Sequence, residues 1–331
     1  MFLIVGTMIG AGYASGRELW QFFGHGSGLA IFLFALLFSI CCYVILSISY
    51  QKKSTHYVPV LREIVGKNLT SIYDGMIILY LFTTTVVMLA GSGATWQAFN
   101  FSYWVGIAMI ALPLVLIFTS DIKGVLSLNT IILPFLITGL LYVLFSFIVQ
   151  ENLSLKPIMD EQFNWIAAFP FTALNILPLI AVMGAIGNQI NNKKEIWFAS
   201  IGSGVILGVI SYVYNTSLIQ ISEDIFLYEI PLFAILNHFP YEMFIVMSFL
   251  LWIAIFTTAV SGVLGLVTRF REYVHSPLWL LSFIIITIMI PLTSFGFSTL
   301  IEVLYPLYGL LNLYVLSSLL LYPILNRYHL D

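Results

Sequence analysis

From Gly28 to Tyr50 the chain carries no charged side chain, and apolar runs of similar length recur to its end. A helix needs about 20 apolar residues to cross ~30 Å of hydrocarbon. A bilayer admits only helices and closed barrels, because every backbone polar group must find a partner within the span. Barrel strands would alternate apolar and polar residues over segments of about ten, and these runs do not alternate. Composition closes off the soluble alternative. Of 331 residues, 60% are hydrophobic and 8% charged, with a mean hydropathy of +1.03. A soluble domain carries about 25% charged residues and has too little interior to hide this much apolar surface.

The expected fold class is therefore all-α integral membrane. Ten transmembrane helices are predicted over 2–23, 28–50, 71–99, 102–119, 124–149, 166–190, 195–220, 241–268, 276–297 and 298–325. The turn at Ser294–Ser298 is the least sharply marked boundary. Basic residues in short loops set orientation. With a cytoplasmic N-terminus, the inner side holds Lys52, Lys53, Arg62, Lys67, Lys123, Lys193, Lys194, Arg269, Arg271 and Arg327, ten of the twelve Lys and Arg residues. Arg17 and Lys156 fall outside. The outer loops are acidic instead, with Glu151, Asp160, Glu161, Glu223, Asp224 and Glu229. Both termini are thus predicted to be cytoplasmic. Residues 55–66 predict a short helix along the inner headgroups, and residues 225–238 a short outer helix or lid. The first span begins abruptly, without the charged region of a signal peptide, and a short cytoplasmic leader is expected ahead of it. Cys41 and Cys42 are adjacent within an apolar run and suit packing.

Gly6-Thr7-Met8-Ile9-Gly10-Ala11-Gly12-Tyr13-Ala14-Ser15-Gly16-Arg17-Glu18 is a poor membrane helix. Each glycine weakens it by ~1 kcal/mol relative to alanine, and each charge adds ~2.5–3.5 kcal/mol at mid-bilayer. Close packing through small residues accounts for Gly6 and Gly10, but not for Gly12, Ser15, Gly16 and the charged pair. A broken helix accounts for all of them: freed carbonyls can hold a cation and freed N–H groups a carboxylate. In the sixth span Asn175 stands between Pro170 and Pro178, and Gly184 and Gly187 follow. Proline frees the carbonyl four residues earlier, so a second break is expected there, with Asn175 as donor and acceptor. Interhelical bonding is the plainer role for such an amide.

Spans one and six each open a set of five. The chain is expected to form one domain, 1–331, with halves of about 1–155 and 160–331 in opposite orientation. Corresponding interrupted helices in inverted halves point to a transport site. In the eighth span, Thr257 and Ser261 share a face and Thr258 lies beside them. Hydroxyl oxygens suit small hard cations, although they can equally bond back to their own helix.

The stretch from Gly6 to Glu18 resembles the start of the YkvI-like family of bacterial permeases, in the amino acid–polyamine–organocation (APC) superfamily. Its pattern is Gly-Thr-x-Ile-Gly-Ala-Gly-aromatic-Ala-Ser-Gly-x-Glu. The resemblance implies the LeuT-type fold, a 5+5 inverted repeat with helices one and six broken. It also implies one sodium between span one and span eight, held here by Gly6, Ile9, Ala254, Thr257 and Thr258. Tyr13 stands where many sodium–neurotransmitter symporters have asparagine, which argues against a second sodium. Arg17 stands where a neutral polar residue is expected; its expected partners are Glu18, Glu302 of span ten, or the outer headgroups. The fifth span lacks the lysine that replaces sodium in proton-coupled relatives.

The function implied is secondary active transport in the plasma membrane of a bacterium, by alternating access, of a small amino acid or similar organic solute. Sodium is the expected coupling ion. A substrate carboxylate would meet Gly10, Ala11, Gly12 and Tyr13, with Ser15 and Asn175 adding hydrogen bonds. Glu18 is a candidate proton carrier or gate, with Arg17 beside it. Candidates on span three are Tyr80, Thr83 and Thr84. No enzyme activity, nucleic-acid partner or cofactor beyond Na+ or H+ is expected; the partners are lipid and solute. Proton coupling, and a ligand receptor of the same fold that moves nothing (germinant-receptor-like), are the alternatives.

Overall fold

The computed structural model describes residues 1–119, 123–153, 162–270 and 276–325, with the side chains of residues 2, 11 and 123–131 excluded. Lys156, Asp160, Glu161, Arg271 and Arg327 lie outside the described residues. The chain runs through α1 (Phe2–Met8), α2 (Ala11–Ala14), α3 (Arg17–Phe22), α4 (Gly28–Lys52), α5 (Val58–Gln97), α6 (Tyr103–Ile117), α7 (Lys123–Gln150) and α8 (Ala168–Met183). It continues through α9 (Lys193–Gln220), α10 (Pro231–Leu236), α11 (Tyr241–Phe270), α12 (Leu278–Met289), α13 (Phe297–Leu311) and α14 (Leu313–Leu325).

Among the described residues, eight helical stretches are long and apolar enough to cross a membrane. α6 is shorter, at 15 residues. The first stretch holds no helix longer than seven residues. Apolar side chains occupy both the interior and the outer wall. Phe34, Phe38 and Phe147 are fully buried, whereas Phe32, Leu112, Val149 and Phe198 are exposed. A helix that is apolar all round needs lipid on its outer side.

α4 packs on α9 and α8, α5 on α11 and α6, and α13 on α8 and α5. The short helix predicted over 55–66 forms as Val58–Val65, where Gly66 (φ 80°) kinks α5. α10 occupies the predicted 225–238 segment. The turn between the ninth and tenth spans is a 3-10 segment, Ile290–Phe295, ending at Gly296 with φ 83°. At the end of the molecule that carries Lys52 and Arg62, Arg269 pairs with Asp74, whose other oxygen accepts from the Tyr57 hydroxyl at 2.6 Å. That cluster ties α5 to α11.

The sixth span is interrupted in a different place from the one expected. α8 runs unbroken past Asn175 and Pro178 to Met183, and the chain then loosens from Gly184 to a 3-10 turn at Gly187–Gln189. Pro170 stands in the first turn, where a missing N–H is no loss. The two glycines mark the break. A Cβ on Gly184 would lie 2.8 Å from Tyr57 Cα, and one on Gly187 would collide with the Ser49 carbonyl. Neighbouring groups take up the exposed backbone. Ser49 Oγ donates to Met183 O at 2.8 Å, and Asn188 N donates to Ser54 O at 3.3 Å.

Candidate functional site

The first span breaks twice. α1 stops at Met8, and Ile9 leaves the helical range at φ −79°, ψ 64°. Ile9 N still reaches Val5 O at 2.8 Å, but Gly10 N turns back to Met8 O at 2.8 Å. Among the described residues, no backbone N–H bonds to the carbonyl of Gly6 or of Ile9. Helix ends leave such carbonyls to be met by side chains, water or ligands. Among the described residues, a Cβ added to Gly10 would meet nothing within 4 Å. Gly6 is tight instead, since its Cβ would lie 2.5 Å from Leu133 Cδ2 of α7.

α2 packs against α11. On α11, Thr257 Oγ1 and Thr258 Oγ1 donate to Ala254 O at 3.1 and 2.8 Å, and Ser261 Oγ donates to Thr257 O at 3.0 Å. Their hydrogens thus point along their own helix, so a cation would meet them through oxygen lone pairs. Thr257 is buried and Thr258 half-buried.

The second break, at Ser15-Gly16, is closed by protein groups on every side. Gly16 adopts φ 80°, and its Cβ position is filled by the Tyr214 ring, 2.7 Å from the hydroxyl. Ser15 Oγ donates to Gly12 O at 2.7 Å and accepts from Arg17 N at 3.2 Å. Gly16 N takes up Tyr13 O, the Tyr214 hydroxyl takes up Ala14 O at 3.0 Å, and Leu232 N of α10 takes up Ser15 O at 2.9 Å.

Tyr13 points away from the break. Its ring is fully buried, and its hydroxyl meets Leu207 O at 3.1 Å and Ser211 Oγ at 2.8 Å on α9. Asn175 is buried, with Nδ2 donating to Phe171 O at 2.9 Å. Gly12 faces Glu18, whose Cδ and Oε1 occupy the place a side chain would take. Arg17 is half-buried, with Nε enclosed and unbonded; it lies in the field of Glu229 and Glu302 without an ion pair among the described residues. Glu229 Oε2 instead accepts from Ser298 N at 2.7 Å, at the start of α13. Of the span-three candidates, Thr83 Oγ1 meets the Tyr308 hydroxyl at 2.9 Å, the Tyr80 ring stands 5.2 Å edge-on to Tyr308, and Thr84 Oγ1 donates to Tyr80 O.

Sequence reasoning passed over α9 and α13. Leu207, Ser211, Tyr214 and Asn215 fall at helical spacing on one face, and three of them have side chains that bond to span one or the loop after it. Polar groups at that spacing in an apolar helix were the available signal. Glu302, Tyr305 and Tyr308 repeat it on α13. A recess of about 820 Å³, lined by Leu3, Ile4, Leu46, Ile190 and Trp197, lies beside α1 but does not include the break.

No family model matches the chain. The uncharacterized protein YyaD of Bacillus subtilis (strain 168) is 47% identical over 328 residues, covering 99% of this chain and 97% of that protein. The uncharacterized membrane protein YkvI of the same strain is 25% identical over 329 residues, covering 96% and 94%. Two solved structures share the fold. The inward-facing conformation of Mhp1 has a TM-score of 0.57 at 14% identity, covering 98% of this chain and 76% of that one. A mutant of the manganese transporter of Eremococcus coleocola has a TM-score of 0.53 at 15% identity, covering 99% and 76%. The fold is thus the LeuT type.

Proposed function

The chain belongs to the family of Bacillus subtilis YyaD, and from that premise we propose that it is a secondary transporter of the APC superfamily. It moves a small amino acid or similar organic solute across the cell membrane by alternating access, with both termini in the cytoplasm. The observation that carries this is the first break. Among the described residues, Gly6 and Ile9 offer carbonyls that no backbone group takes up, beside open space at Gly10, and α2, directly after the break, packs against α11, the helix that carries Thr257 and Thr258. Irregular backbone at membrane depth is tolerated where it is buried or lines a cavity. The likeness to Mhp1 and to a manganese transporter supports the same function.

Donor chemistry supports the choice of coupling ion. Peptide carbonyls and hydroxyls are neutral hard oxygens, which suit a monovalent hard cation better than a transition metal. Sodium as coupling ion is held by Gly6 O, Ile9 O, Ala254 O and the hydroxyls of Thr257 and Thr258. One sodium moving down ~100 mV releases about 2.3 kcal/mol, enough for roughly 50-fold accumulation at 1.4 kcal/mol per decade. A solute carboxylate meets the N–H groups of Ala11 and Gly12, just past Gly10, whose own N–H is engaged by Met8 O, and an Asn175 side chain completes the far wall. Tyr13 and Ser15 support the site from behind, since both hydroxyls are engaged elsewhere. The two halves of the chain form the inverted repeat, and the end bearing Lys52, Arg62 and Arg269 faces the cytoplasm.

The test is uptake. Purified protein in liposomes is offered a panel of labelled amino acids, with and without a sodium gradient. Sodium-driven accumulation of one of them is expected. Saturable binding without flux identifies a receptor instead.

A further inference from the structure

Glu18 is buried, 7% exposed, and belongs to no ion pair among the described residues. Its Cγ, Cδ and Oε1 lie against Gly12, in the hollow left by the missing side chain. Its Oε2 is enclosed without a hydrogen-bond partner. The groups around it come from four helices. Tyr305 of α13 brings its hydroxyl within hydrogen-bonding reach, and Tyr80 of α5 and Tyr13 of α2 stand close by. From α9, Tyr214 approaches the same turn through Gly16. Among the described residues, Arg17, on the same helix as Glu18, is the one cation near, and it is in the field of Glu229 and Glu302. The titratable groups that other helices are seen to bring to the carboxyl, Tyr305, Tyr80 and Tyr13, are phenols.

We propose that Glu18 is a proton-binding site, loaded when span one closes against α5 and α13 and emptied when it parts from them, so that a proton travels with the solute. The inference rests on the transport function above and adds a second coupling ion to it. An ionised carboxylate shut away from water without a cation costs several kcal/mol. With Glu18 buried as it is here, no cation is paired with it, among the described residues, to offset that cost. On closing, the carboxylate takes one proton from water at the open side; on opening to the other side, the carboxyl gives that proton to water there. Charge and atoms balance with no further reactant. Gly12 lets the carboxyl fold back into the break, so the proton site and the solute site share one wall. Tyr305, Tyr80 and Tyr308 line the face that must separate, with Thr83 continuing the row of hydroxyls.

Two measurements test this. Infrared difference spectroscopy on the purified protein at neutral pH reads the carboxyl directly, with the proton as the only probe. A neutral carboxylic C=O band is expected, lost in Glu18→Gln and shifted in Tyr305→Phe, which keeps the carboxyl but removes its hydroxyl neighbour. No such band in the unaltered protein, or a band that neither substitution touches, overturns the proposal. In liposomes carrying an internal pH dye, the amino acid of the panel that binds should drive protons inward. Its affinity should change by about tenfold per pH unit, weakening as pH rises, because the closed form holds one more proton. Glu18→Gln should flatten that slope and abolish the proton signal. A slope and proton signal that survive in Glu18→Gln overturn the coupling. If nothing is transported but the band is present and lost in Glu18→Gln, the transport function fails while the proton site stands.

Discussion

The two breaks in the first span differ in what becomes of the peptide groups they release. At Ser15-Gly16 each freed carbonyl is taken up: Gly12 O by Ser15, Tyr13 O by Gly16 N, Ala14 O by Tyr214 and Ser15 O by Leu232. At Ile9-Gly10 the carbonyls of Gly6 and Ile9 have no backbone partner among the described residues, and Gly10 borders open space. The interruption after Met183 resembles the sealed case, closed by Ser49 and Ser54. An unwound segment is thus not by itself a binding site. One whose polar groups are all met inside the protein is architecture, fixing where the neighbouring turn lies. One whose groups are left over has capacity for a ligand.

That contrast predicts that substitutions at the sealed break cost stability and those at the open break alter binding. The largest effect belongs to Gly16→Ala. A left-handed φ strains alanine by ~1–3 kcal/mol, and overpacking against Tyr214 adds ~1–3 kcal/mol. The thermal unfolding midpoint of the purified protein should fall sharply; an unchanged midpoint removes the distinction between the breaks. Tyr214→Phe comes next, leaving Ala14 O unmet in the interior at about 1–3 kcal/mol, read by the same melt. Gly10→Ala should do the reverse. With space available and no left-handed φ, it should leave the melt unchanged or gain ~0.4–1 kcal/mol, while the added methyl weakens amino-acid binding in an equilibrium assay. The smallest stability change is expected for Thr258→Val, within about 0.5 kcal/mol, because among the described residues its hydroxyl bonds within its own helix. Sodium stimulation of binding should nevertheless disappear. If it persists, the ion is held elsewhere.

Much of the fold can be read along the chain. Apolar runs such as Gly28–Tyr50 predict membrane helices, because backbone groups have no alternative partners in hydrocarbon. The helix over 55–66 and the hairpin at Ser294–Ser298 are legible for the same reason, as polar or glycine punctuation between such runs. The density of glycine from Gly6 to Gly16 announces an interrupted span. The glycines do not announce how many times it breaks, or which break is sealed. The prolines around Asn175 pointed to a break that lies after Met183 instead, because Gly184 and Gly187 meet Tyr57 and Ser49 too closely for side chains.

The chain alone determines its solvent, its helical class and the segment that cannot remain one helix, since all three follow from how peptide groups and apolar side chains meet lipid. Tertiary structure decides which released carbonyls are claimed, that Tyr13 faces α9 rather than the break, and that Glu18 is ringed by phenols from other helices. Those outcomes depend on the fit of Tyr214 against Gly16 and on hydrogen bonds from Tyr214 to Ala14 and from Leu232 to Ser15, groups far apart along the chain. No local pattern carries that information, because a hydrogen bond is set by where two groups arrive and not by their place along the chain.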